Sequence, residues 1–111
     1  MLRISLAYKN ARTQFTHNSG PIEFGRGPQR EVPRRILQDP SVSGDQLRLE
    51  EAPFRRARIQ NLSKRFPVWL TGGQVLAPGG QCEVGLPIRL TMGETLLQAE
   101  ESNEGAYLET M

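Results

Sequence analysis

The sequence predicts an all-β chain folded as an antiparallel-rich sandwich, and three observations carry that expectation. Eleven glycines and eight prolines punctuate 111 residues so often that long helices have little room. Apolar residues recur at alternate positions in many short runs, the period of a strand with one buried face. No helical segments alternate with these runs, which argues against a parallel βαβ architecture. At 12.5 kDa the chain suffices for one core and is too short for two.

The elements follow in order. Leu2-Arg3-Ile4-Ser5-Leu6-Ala7-Tyr8 alternates large apolar with small or polar residues, placing Leu2, Ile4, Leu6 and Tyr8 on one face. Asn18-Ser19-Gly20-Pro21 reads as a turn, and Ile22-Glu23-Phe24 as a short strand stopped by Gly25-Arg26-Gly27-Pro28. After a polar loop, residues 34–38 form a strand candidate around Ile36 and Leu37 that ends at Asp39-Pro40. Residues 46–50 alternate with Leu47 and Leu49 inward. Residues 54–66 fit two patterns: Ala57 and Ile59 alternate as in a strand, while Phe54, Ala57, Leu62 and Phe66 could form a helical stripe; the strand is favoured. Val68-Trp69-Leu70 meets a Gly72-Gly73 turn, and Gln74-Val75-Leu76 leads into Pro78-Gly79-Gly80. Cys82-Glu83-Val84, residues 88–92 and residues 95–99 complete the run of short strands. The chain then turns polar and acidic, so the domain is placed at residues 1–100 and an acidic tail, or the start of a linker, at residues 101–111.

The net charge of +2 conceals a split, because residues 1–89 carry +7 and residues 90–111 carry −5. Twelve of the fourteen basic residues are arginine, whose planar fork of donors matches phosphate or carboxylate at two points. The codon preference of a GC-rich genome would give the same bias. Cys82 is the only cysteine, which excludes an intramolecular disulfide, a cysteine-based zinc cluster and a redox pair, and suits a reducing, cytoplasmic setting. The N-terminus lacks the apolar core of a signal peptide.

Enzymatic readings find little footing. His17, the only histidine, lies in a polar stretch and reads as an exposed loop residue rather than a general base. Gly25-Arg26-Gly27 has no third glycine at position 30 and no helix after it, so it is not a dinucleotide loop. There is no Gly-x-Ser-x-Gly turn, and the pairs Glu50-Glu51 and Glu100-Glu101 would point to opposite faces of an extended chain. An enzyme is the least supported class, and neither cofactor nor metal is expected. Arg55, Arg56, Arg58, Lys64 and Arg65 form the densest basic region but lack the interleaved aromatics that stack on single strands, leaving weak sequence-independent nucleic-acid binding as one alternative.

The order of the motifs is distinctive. Ile22-Glu23-Phe24-Gly25-Arg26 is an apolar strand ending in Gly-Arg, and Asp39-Pro40-Ser41-Val42-Ser43 holds a Val-Ser segment. Ile59-Gln60-Asn61-Leu62-Ser63 and Gly72-Gly73-Gln74-Val75-Leu76 follow at matching intervals. This series, over residues 2–99, resembles the forkhead-associated (FHA) domain, a family of phosphothreonine-peptide readers built as an 11-stranded β-sandwich. The resemblance implies a non-catalytic recognition module in intracellular signalling whose partner is a phosphorylated protein or peptide. It implies that Arg26 pairs with phosphate oxygens and that Ser43 donates its hydroxyl to the same group, with residues 27–35 and 63–68 as specificity loops. The sequence departs from the family at Gln46, which stands for a buttressing histidine, at Gly44 and Asp45, and at Phe66, which stands where a loop asparagine would grip the peptide backbone. Lys64, Arg65 or Arg48 are the candidates for compensating charge. A further alternative is an FHA-like scaffold that binds its partner without phosphate, using Phe66 and Trp69 as apolar anchors.

Overall fold

The computed structural model describes residues 1–102, and within them the chain forms eleven strands. They are β1 Leu2–Tyr8, β2 Ala11–His17, β3 Pro21–Gly25, β4 Arg34–Ile36, β5 Leu47–Ala52, β6 Arg56–Asn61, β7 Val68–Leu70, β8 Val75–Leu76, β9 Gln81–Gly85, β10 Ile88–Met92 and β11 Thr95–Glu101. Six of them make one sheet in the order β2-β1-β11-β10-β7-β8, and five make the other in the order β4-β3-β5-β6-β9. No helix among the described residues is long and apolar enough to cross a membrane.

Period-2 patterning decides which side of each sheet is buried. In β1 the alternation puts Leu2, Ile4 and Leu6 in the core, with Ile4 opposite Ala99 and Leu6 opposite Leu97 on β11. In the five-stranded sheet Ile22, Leu49 and Ile59 form one lateral row across β3, β5 and β6, and Phe24 beside Leu47 is fully enclosed. Each such side chain contributes about 1.5–3 kcal/mol by leaving water. The interleaved apolar faces are what hold the sheets together.

Three local expectations are corrected. Residues 11–17 form an unexpected strand, β2, because it is an edge strand whose residues mostly face solvent and so show no apolar alternation. His17 therefore belongs to a strand rather than a loop; it is half-buried, and its Nε2 lies 2.9 Å from the Gly20 carbonyl oxygen. The segment 54–66 is a strand only over Arg56–Asn61, since Phe54 and Arg55 take left-handed φ values of 65° and 57° that end β5 and begin the return, and residues 62–67 are loop. Within 34–38, Leu37 faces the core while Ile36 is exposed, and β4 runs parallel to β3, the one parallel pairing among the described strands. Across the sandwich edge the Arg35 guanidinium lies 3.8 Å from the centre of the Phe15 ring on β2.

The Phe54 side chain is 94% exposed and gains little from burial, while its left-handed backbone is unfavourable for a bulky L-residue by about 1–2 kcal/mol. Phe54→Asn, which tolerates that conformation, is expected to raise the unfolding free energy by about 1 kcal/mol in a denaturant titration. An unchanged or lowered midpoint would contradict this account of the turn.

Candidate functional site

Three loops converge at one end of the sandwich: residues 26–28 after β3, residues 37–46 between β4 and β5, and residues 62–67 between β6 and β7. Backbone bonds stitch them together. Gln46 N–H donates to the Phe24 carbonyl (3.0 Å), Arg26 N–H to Ser43 (3.1 Å), Gly27 N–H to Gly44 (2.9 Å) and Leu62 N–H to Gln46 (2.9 Å). The approach is close enough that a Cβ on Gly25 would lie 2.1 Å from the Gly44 carbonyl oxygen. Only glycine lets the end of β3 run against this segment.

A buried ionic cluster supports the loops from below. The side chains of Glu23 and Arg34 are 1% and 0% accessible. Arg34 Nη2 donates to Glu23 Oε1 (2.8 Å) and Asp45 Oδ1 (2.6 Å), and Nη1 donates to the carbonyls of Gly44 (2.7 Å) and Gly27 (3.3 Å). Arg48 closes the other side of Glu23, with Nη2 and Nε at 2.7 and 3.1 Å from Oε2. Burial pushes the Glu23 carboxyl up, but the bonds from Arg34 and Arg48 and the charges of Arg48 and Arg30 outweigh it and hold the group below the usual carboxylate range. Arg48 is thus committed to Glu23 and does not supply the compensating charge at the loop surface. Asp45, the acid expected to oppose an anion there, is balanced by Arg34 and by Arg30 at 3.6 Å.

Asp39 anchors the middle loop to the opposite sheet. Fully buried, its carboxylate accepts Ser41 N–H (2.8 Å), Glu94 N–H (2.7 Å) and the Thr95 hydroxyl (2.9 Å). Burial raises its pKa, and these donors together more than reverse the effect, leaving it lowered. The Asp39-Pro40 pair, read from the sequence as a strand terminator, is a tie between the sheets.

On this base sit the polar groups that face outward. Arg26 is exposed, and its Nε donates to the Val42 carbonyl at 2.7 Å, a bond that ties the guanidinium to the residue before Ser43. Gln46 is enclosed; its Oε1 accepts Ser43 N–H (2.9 Å) and its Nε2 donates to Asn61 Oδ1 (3.0 Å). A neutral imidazole offers the same complement of one donor and one acceptor, so glutamine here retains a buttress for Ser43. Asn61 Nδ2 donates to the carbonyls of Phe66 (2.9 Å) and Leu76 (3.0 Å), which pins the third loop. The Ser43 and Ser63 hydroxyl oxygens are 2.6 Å apart, bringing the second and third loops into direct contact.

Of the residues singled out in the sequence, Arg26 and Ser43 lie on adjoining strands of backbone, and Lys64 and Arg65 are exposed on the loop that Ser63 joins to Ser43. Phe66 takes part through its backbone: its carbonyl accepts from Asn61 and its N–H donates to Ser63 Oγ (2.9 Å), while its ring lies 5.4 Å from the Arg65 guanidinium. Trp69 is 50% exposed on the outer face of the six-stranded sheet, opposite Val75, and does not belong to these loops. The supporting roles of Arg34, Asp39 and Ser63 were not expected from the sequence, since nothing local says which distant groups these residues will touch. The basic cluster is largely neutralised, with Arg56 and Arg58 on Glu83 and Arg55 on Glu101. Glu101 is the last residue of β11; the remainder of the acidic stretch, beyond residue 102, lies outside the described residues.

Two consequences are measurable. Gly25→Ala forces a methyl into the Gly44 carbonyl and is expected to destabilise by about 1–3 kcal/mol, the usual range for overpacking, with backbone amide shifts concentrated in residues 43–46. A fully stable variant with unshifted amides would show that the contact is slack. For pH, both Glu23 and Asp39 are more acidic folded than unfolded, so their stabilisation is complete above the unfolded carboxylate pKa and is lost as pH falls through the lower folded values. The melting temperature is expected to fall steeply below about pH 4, and Asp39→Asn is expected to flatten that slope; an acid-insensitive wild type would contradict the assignment.

No protein-family model matches the chain, and no curated protein matches it. Solved structures do. The FHA domain of the CT664 protein from Chlamydia trachomatis superposes with a TM-score of 0.68 at 19% identity, covering 90% of this chain and 98% of that one. The FhaA FHA domain, solved in complex with the intracellular domain of Rv3910, gives 0.67 at 15% identity over 90% of this chain and all of that one. An FHA domain from work on phosphothreonine-dependent FHA domain interactions gives 0.60 at 16% identity, over 90% and 97%. The chain has the forkhead-associated β-sandwich fold.

Proposed function

We propose that this domain is a non-catalytic protein-interaction module that binds a phosphothreonine-containing segment of a partner protein at the loop pole, in a cytoplasmic setting where Cys82 stays a thiol. The single observation that carries this reading is the placement of Arg26: its Nε is held by the Val42 carbonyl and its backbone N–H by the Ser43 carbonyl, so the guanidinium is anchored to the segment that carries the Ser43 hydroxyl. A phosphate dianion needs several donors to replace its water, and a fixed guanidinium with an adjacent hydroxyl supplies them at low entropic cost. Lys64 and Arg65 add positive charge on the neighbouring loop, and neither has a carboxylate partner among the described residues. The likeness to domains that take part in phosphothreonine-dependent interactions supports the same reading.

Phe66 in place of the peptide-gripping asparagine means that the peptide backbone is held differently here. Its half-buried ring under Arg65 offers a contact for an apolar or aromatic residue beside the phosphothreonine. A second reading, docking of a partner without phosphate, is favoured by the exposed Trp69 and Val75 pair on the outer face of the six-stranded sheet.

Calorimetric titration of phosphorylated and unphosphorylated versions of a threonine peptide library distinguishes the two. Phosphorylated members are expected to bind preferentially, Arg26→Ala to weaken them by about 10- to 100-fold through loss of charge-assisted bonds, and Arg26→Lys to restore only part because the fork is gone. Equal binding of both peptide forms, or indifference to Arg26→Ala, would defeat the phosphate reading. Association that phosphatase leaves intact and Trp69→Ala abolishes would establish the second.

A further inference from the structure

We propose that Ser63 is a positioning residue that sets the direction of the Ser43 hydroxyl, keeping the Ser43 proton free for donation to an anion; this rests on the phosphate reading above. The argument is a count of protons and lone pairs. A serine hydroxyl has one proton to donate and two lone pairs with which to accept. Ser63 Oγ accepts two backbone donors, Arg65 N–H at 3.0 Å and Phe66 N–H at 2.9 Å. Both lone pairs are then in use.

Its third neighbour is Ser43 Oγ at 2.6 Å, and this bond has only one consistent polarity. If Ser43 donated, Ser63 would accept three bonds and its own proton would be trapped without an acceptor in a residue that is 2% exposed. Ser63 therefore donates and Ser43 accepts. The Ser43 proton is left over, on a half-exposed side chain at the surface where Arg26 is anchored.

The result is a directed relay from the Arg65 and Phe66 amides, through Ser63 O–H, to Ser43 O–H and outward. Every dipole in it points its positive end toward the ligand, and each bond polarises the next. A lone serine hydroxyl rotates to suit any visitor, donor or acceptor. This one always has its proton to offer to an accepting ligand, the chemistry of a phosphate dianion, because its bond to Ser63 uses a lone pair and not that proton. The third loop thereby joins in recognition without touching the ligand.

The test is a double-mutant cycle read by NMR titration with inorganic phosphate, following the Arg26 side chain and the Ser43 amide. Ser63→Ala is expected to weaken phosphate binding by about five- to tenfold, the scale of one bond to a charged group, in the wild-type background. It is expected to change binding less than about twofold in the Ser43→Ala background, since the relay then has no terminus. Equal losses in both backgrounds would show that Ser63 merely shapes its loop, and no loss in either would show that Ser43 orients itself; each overturns the proposal. Ser63→Cys, nearly isosteric with a weak donor, serves the same cycle should the alanine variant fail to fold. Ser63→Thr, which keeps the hydroxyl, is expected to retain affinity. A wild-type protein that shows no phosphate-dependent shifts at all would sink the phosphate reading and the relay together, whereas wild-type binding that ignores Ser63 sinks the relay alone.

Discussion

The Arg34 guanidinium lies between the end of β3 and two of the loops with no solvent access, so its charge has to be met where it stands. Two carboxylates and two backbone carbonyls meet it, and those four acceptors come from two stretches of chain, residues 23–27 and 44–45, while Arg34 itself stands on a third. Because an uncompensated charge at such a depth would be destabilising by about 3–5 kcal/mol, none of the segments can drift away from the others without breaking the set. The Gly25 contact, the paired backbone bonds and the placement of Arg26 all presuppose that this junction is closed. Rigidity at the loop pole thus begins with an ionic cluster that no ligand reaches.

The same logic explains how the arginine-rich composition resolves into a local feature. Most of the basic side chains of the five-stranded sheet are answered nearby: Arg34 and Arg48 by Glu23, Arg56 and Arg58 by Glu83, and Arg55 by Glu101. Arg26, Lys64 and Arg65 have no such carboxylate among the described residues and are gathered on the loops. A uniformly basic surface would attract any polyanion, whereas the densest basic stretch of this chain, Arg55 to Arg58, is met by Glu83 and Glu101. That contrast disfavours general nucleic-acid binding, which draws on many dispersed contacts at once.

Much of the sandwich was legible because burial writes a period-2 pattern: β1, β5 and β10 carry inward rows of large apolar side chains, and β11 alternates with Thr95, Leu97 and Ala99 inward. β2 was illegible for the converse reason: an exposed edge strand leaves no apolar signature. At the loops the order of motifs located Arg26 and Ser43, but spacing could not say what supports them. Gln46 looked like the loss of a buttress, yet its amide accepts from Ser43 N–H and donates to Asn61, so Ser43 is still supported. Ser63 and Asp39 also depend on partners 20 and 55 or more residues away, which no local pattern records.

The ends of the described chain also have a defined place. Leu2 pairs with Glu101, Ser102 N–H donates to the Met1 carbonyl at 2.9 Å, and the Met1 amine reaches Glu51 at 2.6 Å, near the tip of the β5–β6 hairpin and so at the pole opposite the loops. Entry and exit share one corner. A carrier protein, fluorophore or sensor surface coupled at either end would hold the domain by its base, with the Arg26 and Ser43 loops projecting away from the attachment and free to sample whatever flows past.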